Sequence, residues 1–245
     1  MASAPFLLLT TRAQPAILRS EIDVFHRYTG LDDTHLVWHP LDQRPLTGYR
    51  LDDWAGIILC GSPYDSLTPQ QEKSDTQRRV EDELGSLVDE VIARDFPFLG
   101  VCYAVAAVLG HLGGTITTRY GEEISAPRIT VTDAGAVDPI TAGMPREFHA
   151  YVGHKEACEV MPEGATLLAT SDTCPVQLFS LRTNIYGTQF HPELDEDAIM
   201  LRIREYSASG YYPPAEQQRI LDQCRGIDVE PAHRILANFV TRYGR

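Results

Sequence analysis

The chain has no block of lysine or arginine, no apolar run long enough to cross a membrane, and no paired or CxxC cysteines. Each absence excludes something. Acidic residues number 34 and basic residues 21, a formal charge of −13. Such a surface repels a polyanion, so nucleic acid is excluded as a main partner. The cysteines are Cys60, Cys102, Cys158, Cys174 and Cys224. Their odd number and irregular spacing argue against a disulfide framework and point to reduced thiols. The segment 1–10 has no basic stretch and only a short apolar run, Phe6-Leu-Leu-Leu9. Neither a signal peptide nor a membrane span is expected from it, and the protein is expected to be cytoplasmic. Repeats, low-complexity tracts and linkers are missing too. One domain over residues 1–245 is expected, with 194–245 as a helical tail.

What is present is ordinary for a globular chain, with 43% apolar and 22% charged residues. Short apolar runs at 6–10, 35–41, 56–60 and 97–102 read as strands. Between them, 14–28 and 70–94 carry apolar residues at helical spacing, the second through Val80, Leu84, Leu87, Val88 and Val91. A short helix is expected over 104–112, closed by Gly113-Gly114. This alternation predicts an α/β fold, an open and mostly parallel sheet with flanking helices. From 115 to 190 short strands follow one another (125–132, 147–152, 166–169, 176–180, 185–190), which predicts a small antiparallel addition. Helices return at 195–207, 214–224 and 231–243, the last two opened by proline.

Chemistry is concentrated at three strand ends. Gly187-Thr-Gln-Phe-His-Pro-Glu193 reads as a strand ending in a histidine, with a glutamate two positions on. Side chains at i and i+2 of a strand share a face, so Glu193 can fix the tautomer of His191 and raise its basicity. Upstream, Phe98-Leu-Gly-Val-Cys-Tyr103 followed by small residues is a nucleophile elbow with cysteine in place of serine. A sharp turn there lifts Cys102 above the sheet edge, and the next helix aims its positive end at the sulfur. The backbone N–H of Tyr103 is free to hold an oxyanion. Gly61 or Ser62, in Cys60-Gly-Ser-Pro63, can offer a second donor from the neighbouring strand end.

With these pieces assembled, the chain resembles the class I glutamine amidotransferases, in particular stand-alone domains similar to the amidotransferase half of GMP synthase. The carrying motifs are Gly61-Ser-Pro63, Gly100-Val-Cys-Tyr103 and Gln189-Phe-His-Pro-Glu193, with Gly153-His-Lys-Glu156 and Cys174-Pro-Val-Gln177 matching the stand-alone branch. The resemblance covers about residues 5–193 and implies the flavodoxin-like fold of that family. It implies glutamine or a γ-glutamyl small molecule as substrate and attack by Cys102. His191 then acts as base and acid, Glu193 orients it, and a γ-glutamyl thioester forms. It also implies, as partner, a separate synthetase or acceptor subunit, since no segment here would consume ammonia. No cofactor and no metal are expected.

Two positions depart from the family pattern Cys-x-Gly-x-Gln: here Ala104 and Ala106 stand where it has glycine and glutamine. The family's glutamine helps bind the substrate's amino-acid end, so Ala106 puts free glutamine in question as the substrate. A γ-glutamyl peptidase on a modified substrate, or a non-catalytic regulatory homologue, are the rival readings. Among other candidates, His149, His154 and Cys158 lack a fourth zinc ligand. His154 is carried as a substrate-lining residue against a surface histidine. Cys174 reads as structural, Glu122-Glu123 as a solvated acidic turn, and Tyr211-Tyr-Pro-Pro214 as a helix break near the cleft.

Overall fold

A computed structural model describes residues 4–208 and 212–244. Residues 1–3 of the N-terminal segment and Tyr211 of the helix break lie outside the described residues. The first half alternates as the sequence predicts: β1 (Phe6–Thr10), α1 (Pro15–Thr29), β2 (Leu36–Pro40), β3 (Gly56–Leu59), α2 (Asp75–Arg94), β4 (Phe98–Val101) and α3 (Tyr103–Val105). Helix α3 continues as a single π-turn over Ala106–Gly110. Helix α2 starts later than residue 70, because Ser74 caps it by accepting a hydrogen bond from the Gln77 N–H.

Between 115 and 190 the chain forms β5 (Thr115–Thr117), β6 (Glu122–Ser125), β7 (Arg128–Val131), the short helix α4 (Asp133–Ala136), β8 (Glu147–His149), β9 (Val152–His154), β10 (Ala157–Val160), β11 (Ala165–Thr170), β12 (Leu178–Leu181) and β13 (Ile185–Thr188). The single strand expected over 125–132 is two strands. Pro127 lacks the N–H to continue a ladder, and β6 leaves the main sheet to pair with β9. The strand expected over 147–152 is likewise cut into β8 and β9. Helices α5 (Glu196–Ala208), α6 (Gln217–Cys224) and α7 (Glu230–Tyr243) follow.

The main sheet has nine strands in the order β2-β1-β3-β4-β13-β12-β11-β7-β8. Strands β2, β1, β3, β4 and β13 run parallel, and the remainder antiparallel. This is the α/β architecture expected, and both faces of the parallel part are covered. On one face Phe6, Leu8, Ile58 and Leu99 pack with Phe25 of α1 and Leu236 and Phe239 of α7. On the other, Leu7, Leu9, Ile57 and Leu59 meet Val80, Leu84, Leu87, Val88 and Val91 of α2. Each of those α2 side chains is almost fully buried, worth about 1.5–3 kcal/mol apiece by area transfer. Parallel strands bring their carboxyl ends to one edge, where such sheets hold their sites. Arg12, Gly61, Cys102 and His191 all lie just past strand ends there.

Candidate active site

Cys102 is the hinge between β4 and α3. Its φ is 53° and ψ −88°, a conformation rare for a residue with a side chain and costing about 1–3 kcal/mol. The surrounding structure holds it. The Cys102 N–H donates to the Thr188 carbonyl of β13 at 2.6 Å, and the Val105 N–H donates to the Cys102 carbonyl at 3.0 Å. The small residues read from the sequence are needed for this turn. A methyl on Gly100 would stand 2.2 Å from the Cβ of Ala104. The expected elbow is thus present, with Ala104 fully buried against a glycine that makes room for it.

His191 does not continue β13, which ends at Thr188. It is held instead by a bridge to Tyr151, its N–H donating to the Tyr151 carbonyl at 2.9 Å. The i, i+2 argument named the right partners although the backbone has left the strand: His191 Nδ1 and Glu193 Oε1 are 2.7 Å apart. The Cys102 side chain lies beside the imidazole, near enough to act on its charge. Burial opposes a positive charge on His191, but the Glu193 carboxylate and Cys102 outweigh it and hold the imidazole above its ordinary range. Burial also opposes charge on Glu193. His191, and then Arg202, nevertheless hold its carboxyl below the usual carboxylate range.

Gly61 faces this pair. A Cβ there would lie 2.8 Å from His191 Cε1 and 3.5 Å from Cys102 Cβ, so only glycine fits without displacing the imidazole. The backbone N–H groups of Gly61, Ser62 and Tyr103 donate to no described residue. Ser62 Oγ instead accepts from the Tyr64 N–H at 3.1 Å. Free donors beside a thiol are what an oxyanion site requires. A cavity of about 170 Å³ opens onto Cys102, lined by Ser62, Tyr103, Ala106, His154, Gln189 and His191 among others. Gln189 also touches the nucleophile candidate, its Nε2 3.8 Å from Cys102 Sγ.

His154 is buried rather than a surface histidine, and it belongs to a second constellation. The ligand-type atoms of Glu122, His154 and Cys174 lie within 4.8 Å of one another. Glu122 is buried too, which corrects the reading of Glu122-Glu123 as a solvated turn; only Glu123 is exposed. The Glu122 carboxylate accepts from Thr173, from His154 Nε2 at 2.8 Å and from Gln177 Nε2 at 2.8 Å. His149 and Cys158 are not part of this cluster: His149 Nδ1 bonds the Ala126 carbonyl at 2.9 Å, and Cys158 is buried in β10, which pairs with β5 and packs by the π-turn.

The two cysteines differ in what their chemistry allows. Cys174 sits in a turn without a following helix, is fully enclosed, and its Sγ lies 3.7 Å from the Val176 carbonyl. Burial, with Glu122 nearby, pushes its thiol up to about 12. Its neighbour His154 spends Nε2 on Glu122 and Nδ1 on the Glu156 carbonyl. Both ring nitrogens of that histidine are thus engaged by oxygen atoms rather than by the Cys174 sulfur. Cys102, by contrast, faces the cavity and an imidazole.

Sequence reading missed a buried ionic network behind His191. Arg202 of α5 donates Nη2 to Oε1 of Glu21 at 2.8 Å and to Oε1 of Glu193 at 3.3 Å, with Nη1 3.3 Å from His191 Nδ1. Arg12 donates Nε to Glu21 at 2.9 Å and Nη1 to the Tyr206 hydroxyl. Burial works against the Arg12 charge, but Tyr206 and Glu21 raise its pKa further above the ordinary arginine value. The signal was in the sequence: Glu21 shares the apolar stripe of Ile17, Val24 and Phe25, and Arg202 that of Ala198, Ile199 and Ile203. A charge on a buried stripe needs a buried partner.

A family model described as glutamine amidotransferase class-I matches residues 27–199. Among curated proteins, the chain is 29% identical over 152 residues to a glutamine-hydrolyzing GMP synthase of Thermosipho africanus, covering 62% of this chain and 26% of that protein. It is 32% identical over 140 residues to a subunit of the glutamine-hydrolyzing GMP synthase of Methanocaldococcus jannaschii, covering 57% of this chain and 64% of that protein. The chain thus spans about a quarter of the first relative and just under two thirds of the second. A solved glutamine amidotransferase from Thermotoga maritima superposes with a TM-score of 0.78 at 16% identity, covering 100% of both chains. A solved glutamine amidotransferase from Methylobacillus flagellatus gives 0.74 at 18% identity, over 100% of this chain and 97% of that one. At those identities the likeness is one of fold. No helix among the described residues is long and apolar enough to cross a membrane.

Proposed function

The chain belongs to the class I glutamine amidotransferase family, and from that premise we propose that it hydrolyses a glutamine or γ-glutamyl amide through a covalent thioester on Cys102. The observation that carries this reading is the strained, cavity-facing Cys102 beside an imidazole that Glu193 orients at 2.7 Å. The Cys102 sulfur attacks the amide carbon and its proton passes to His191. The carbonyl oxygen becomes an oxyanion held by the free N–H groups of Gly61 or Ser62 and Tyr103. Collapse breaks the C–N bond, and His191 delivers the proton to the departing ammonia or amine. Water then attacks the thioester, gives a proton to His191, and the S–C bond breaks to return the thiol and free glutamate.

In this reading residues 1–245 act as one amidotransferase-like unit whose tail, 194–245, supplies Arg202 behind the triad. His154 lines the cavity wall that receives the γ-glutamyl end. A separate synthetase or acceptor subunit would take up released ammonia. A second reading, γ-glutamyl peptide hydrolysis, is favoured by Ala106, which offers the cavity a methyl group and no amide. Incubation with glutamine and with γ-glutamyl dipeptides, measuring ammonia and glutamate, tests the proposal. Turnover lost in Cys102→Ala supports it, and wild-type protein that turns over neither substrate class overturns it.

A further inference from the structure

The cavity before Cys102 has a wall that the hydrolytic reading leaves unused. Resting on the reading that Cys102 attacks a γ-glutamyl amide, we propose that Arg12, with Gln14 and Tyr206, forms a carboxylate-binding subsite for the leaving amine. The substrate is then a γ-glutamyl peptide with a free carboxylate on the residue after the scissile amide, rather than free glutamine.

Arg12 follows β1 and is 4% exposed, yet it lines the cavity. Glu21 holds its Nε and the Tyr206 hydroxyl its Nη1, while Nη2 donates to no described residue. A buried guanidinium fixed on two sides with one edge open is pre-organised for a planar anion. Nη2 lies 3.1 Å from the point a Gly61 Cβ would occupy, and that point is 3.5 Å from Cys102 Cβ. The open nitrogen and Cys102 therefore both lie against Gly61.

A second, independent feature agrees. The 15-residue helix α1 begins at Pro15, its cap residue Gln14 makes no side-chain cap bond, and its first turn has no acidic residue. Gln14 lines the same cavity. Pro15 has no N–H to offer, so what α1 brings to this wall is the Gln14 side chain and the partial positive charge of its N-terminus, which suits an anion.

The side on which the carboxylate sits follows from the two faces of the sheet. Arg12 reaches Glu21 on α1, on the face of α1 and α7, whereas Tyr103 and Ala104 pack on the α2 face. The α2-side wall of the cavity carries both signs of charge, Asp65 and Glu156 with Lys155. That mixture suits the zwitterionic α-amino-acid end of a γ-glutamyl group. The Arg12 wall offers the cavity guanidinium N–H donors and no carboxylate oxygen, because Glu21 is fully enclosed behind it. The leaving side of glutamine is ammonia, which would leave Nη2 of Arg12 unfilled. The amine of an amino acid brings a carboxylate to it.

The test compares kcat/KM of the full chain for γ-glutamylglycine, its C-terminal amide γ-glutamylglycinamide, and glutamine. The acid is expected to exceed both others by about tenfold or more, the worth of a charge-assisted pair in an enclosed site. Equal values for acid and amide overturn the subsite while leaving the hydrolytic reading standing. No turnover of any of the three overturns both. In Arg12→Gln the acid-to-amide ratio should fall to about one, as expected when the charge-assisted pair is removed. An equal loss on all three substrates would assign Arg12 to the glutamyl α-carboxylate and overturn the leaving-group assignment. Should that variant fold poorly, the wild-type comparison decides alone.

Discussion

Gly100 and Ala104 approach so closely that a methyl on the glycine would stand 2.2 Å from the Cβ of the alanine. That contact is what lets α3 rise directly from β4 and set Cys102 at its φ of 53°. Gly100→Ala should therefore lower the melting temperature sharply and abolish turnover, as overpacking in a fixed core does. Adding Ala104→Gly to that variant should recover much of the loss, because it removes the atom in conflict. A double mutant no better than the single one would show that the elbow is not set by this contact.

Two cysteine–histidine–glutamate constellations invite a direct comparison. An electrophile shaped like a γ-glutamyl group should label Cys102, and Cys102→Ala should remove all turnover. Cys174→Ser should retain activity near the wild-type value, because its thiol is enclosed and pushed up to about 12. Peptide mass spectrometry locates the label. Preferential modification of Cys174 would reverse the assignment.

The strand ends were legible in the sequence because the chemistry there is local. Gly100-Val-Cys-Tyr103 and His191-Pro-Glu193 each hold their working parts within a few residues. The partners brought in from far away were not legible. Glu21, Arg202 and Arg12 meet only because α1 and α5 pack side by side over the sheet edge. The positions of Glu21 and Arg202 on apolar stripes mark each as needing a partner but not which one. The split of 125–132 into β6 and β7 was hidden for a related reason. Pro127 marks a break, yet only the pairing of β6 with β9 explains where the chain goes and why Glu122 is enclosed.

Arg202 touches Glu21, Glu193 and His191 from α5. Arg202→Met should destabilise the fold by about 3–5 kcal/mol, since it leaves buried carboxylates short of a partner. It should also lower kcat, because the Glu193 carboxylate loses one of its anchors. Arg202→Lys keeps the charge but not the fork and should fall between. Urea unfolding with parallel kinetics checks both effects. A Met variant as stable as wild type would mean the network adds nothing net.

Stability should depend on pH through His191 and Glu193 in a definite sense. In the unfolded chain histidine titrates near about 6.5 and glutamate near about 4.3. His191 is raised in the fold, so its contribution is complete below about 6.5 and is lost as pH rises through the folded value. Glu193 is lowered, so its contribution is complete above about 4.3 and is lost as pH falls through its folded value. The stability gap between wild type and Glu193→Gln should thus be widest between these limits and narrow on both sides. Melting temperatures across a pH series measure it. A gap that keeps widening on the alkaline side would contradict the sign assigned to His191.

Ala106 is where the family pattern and this chain part, and its position makes the consequence specific. It opens the π-turn that follows α3, is half-buried, and lines the cavity beside Tyr103. In the proposed reaction its methyl would leave the amino-acid end of a bound substrate without an amide partner from this turn. Ala106→Gln should therefore lower KM for glutamine by about tenfold, the worth of one or two hydrogen bonds to a charged group. Its kcat should stay near the wild-type value, because the added contact is made equally before and during bond breaking. A π-turn re-aims the residues it contains, so a glutamine pointing away from the cavity would leave KM unchanged. In that case the family's contact was lost through the path of the backbone rather than through the alanine itself.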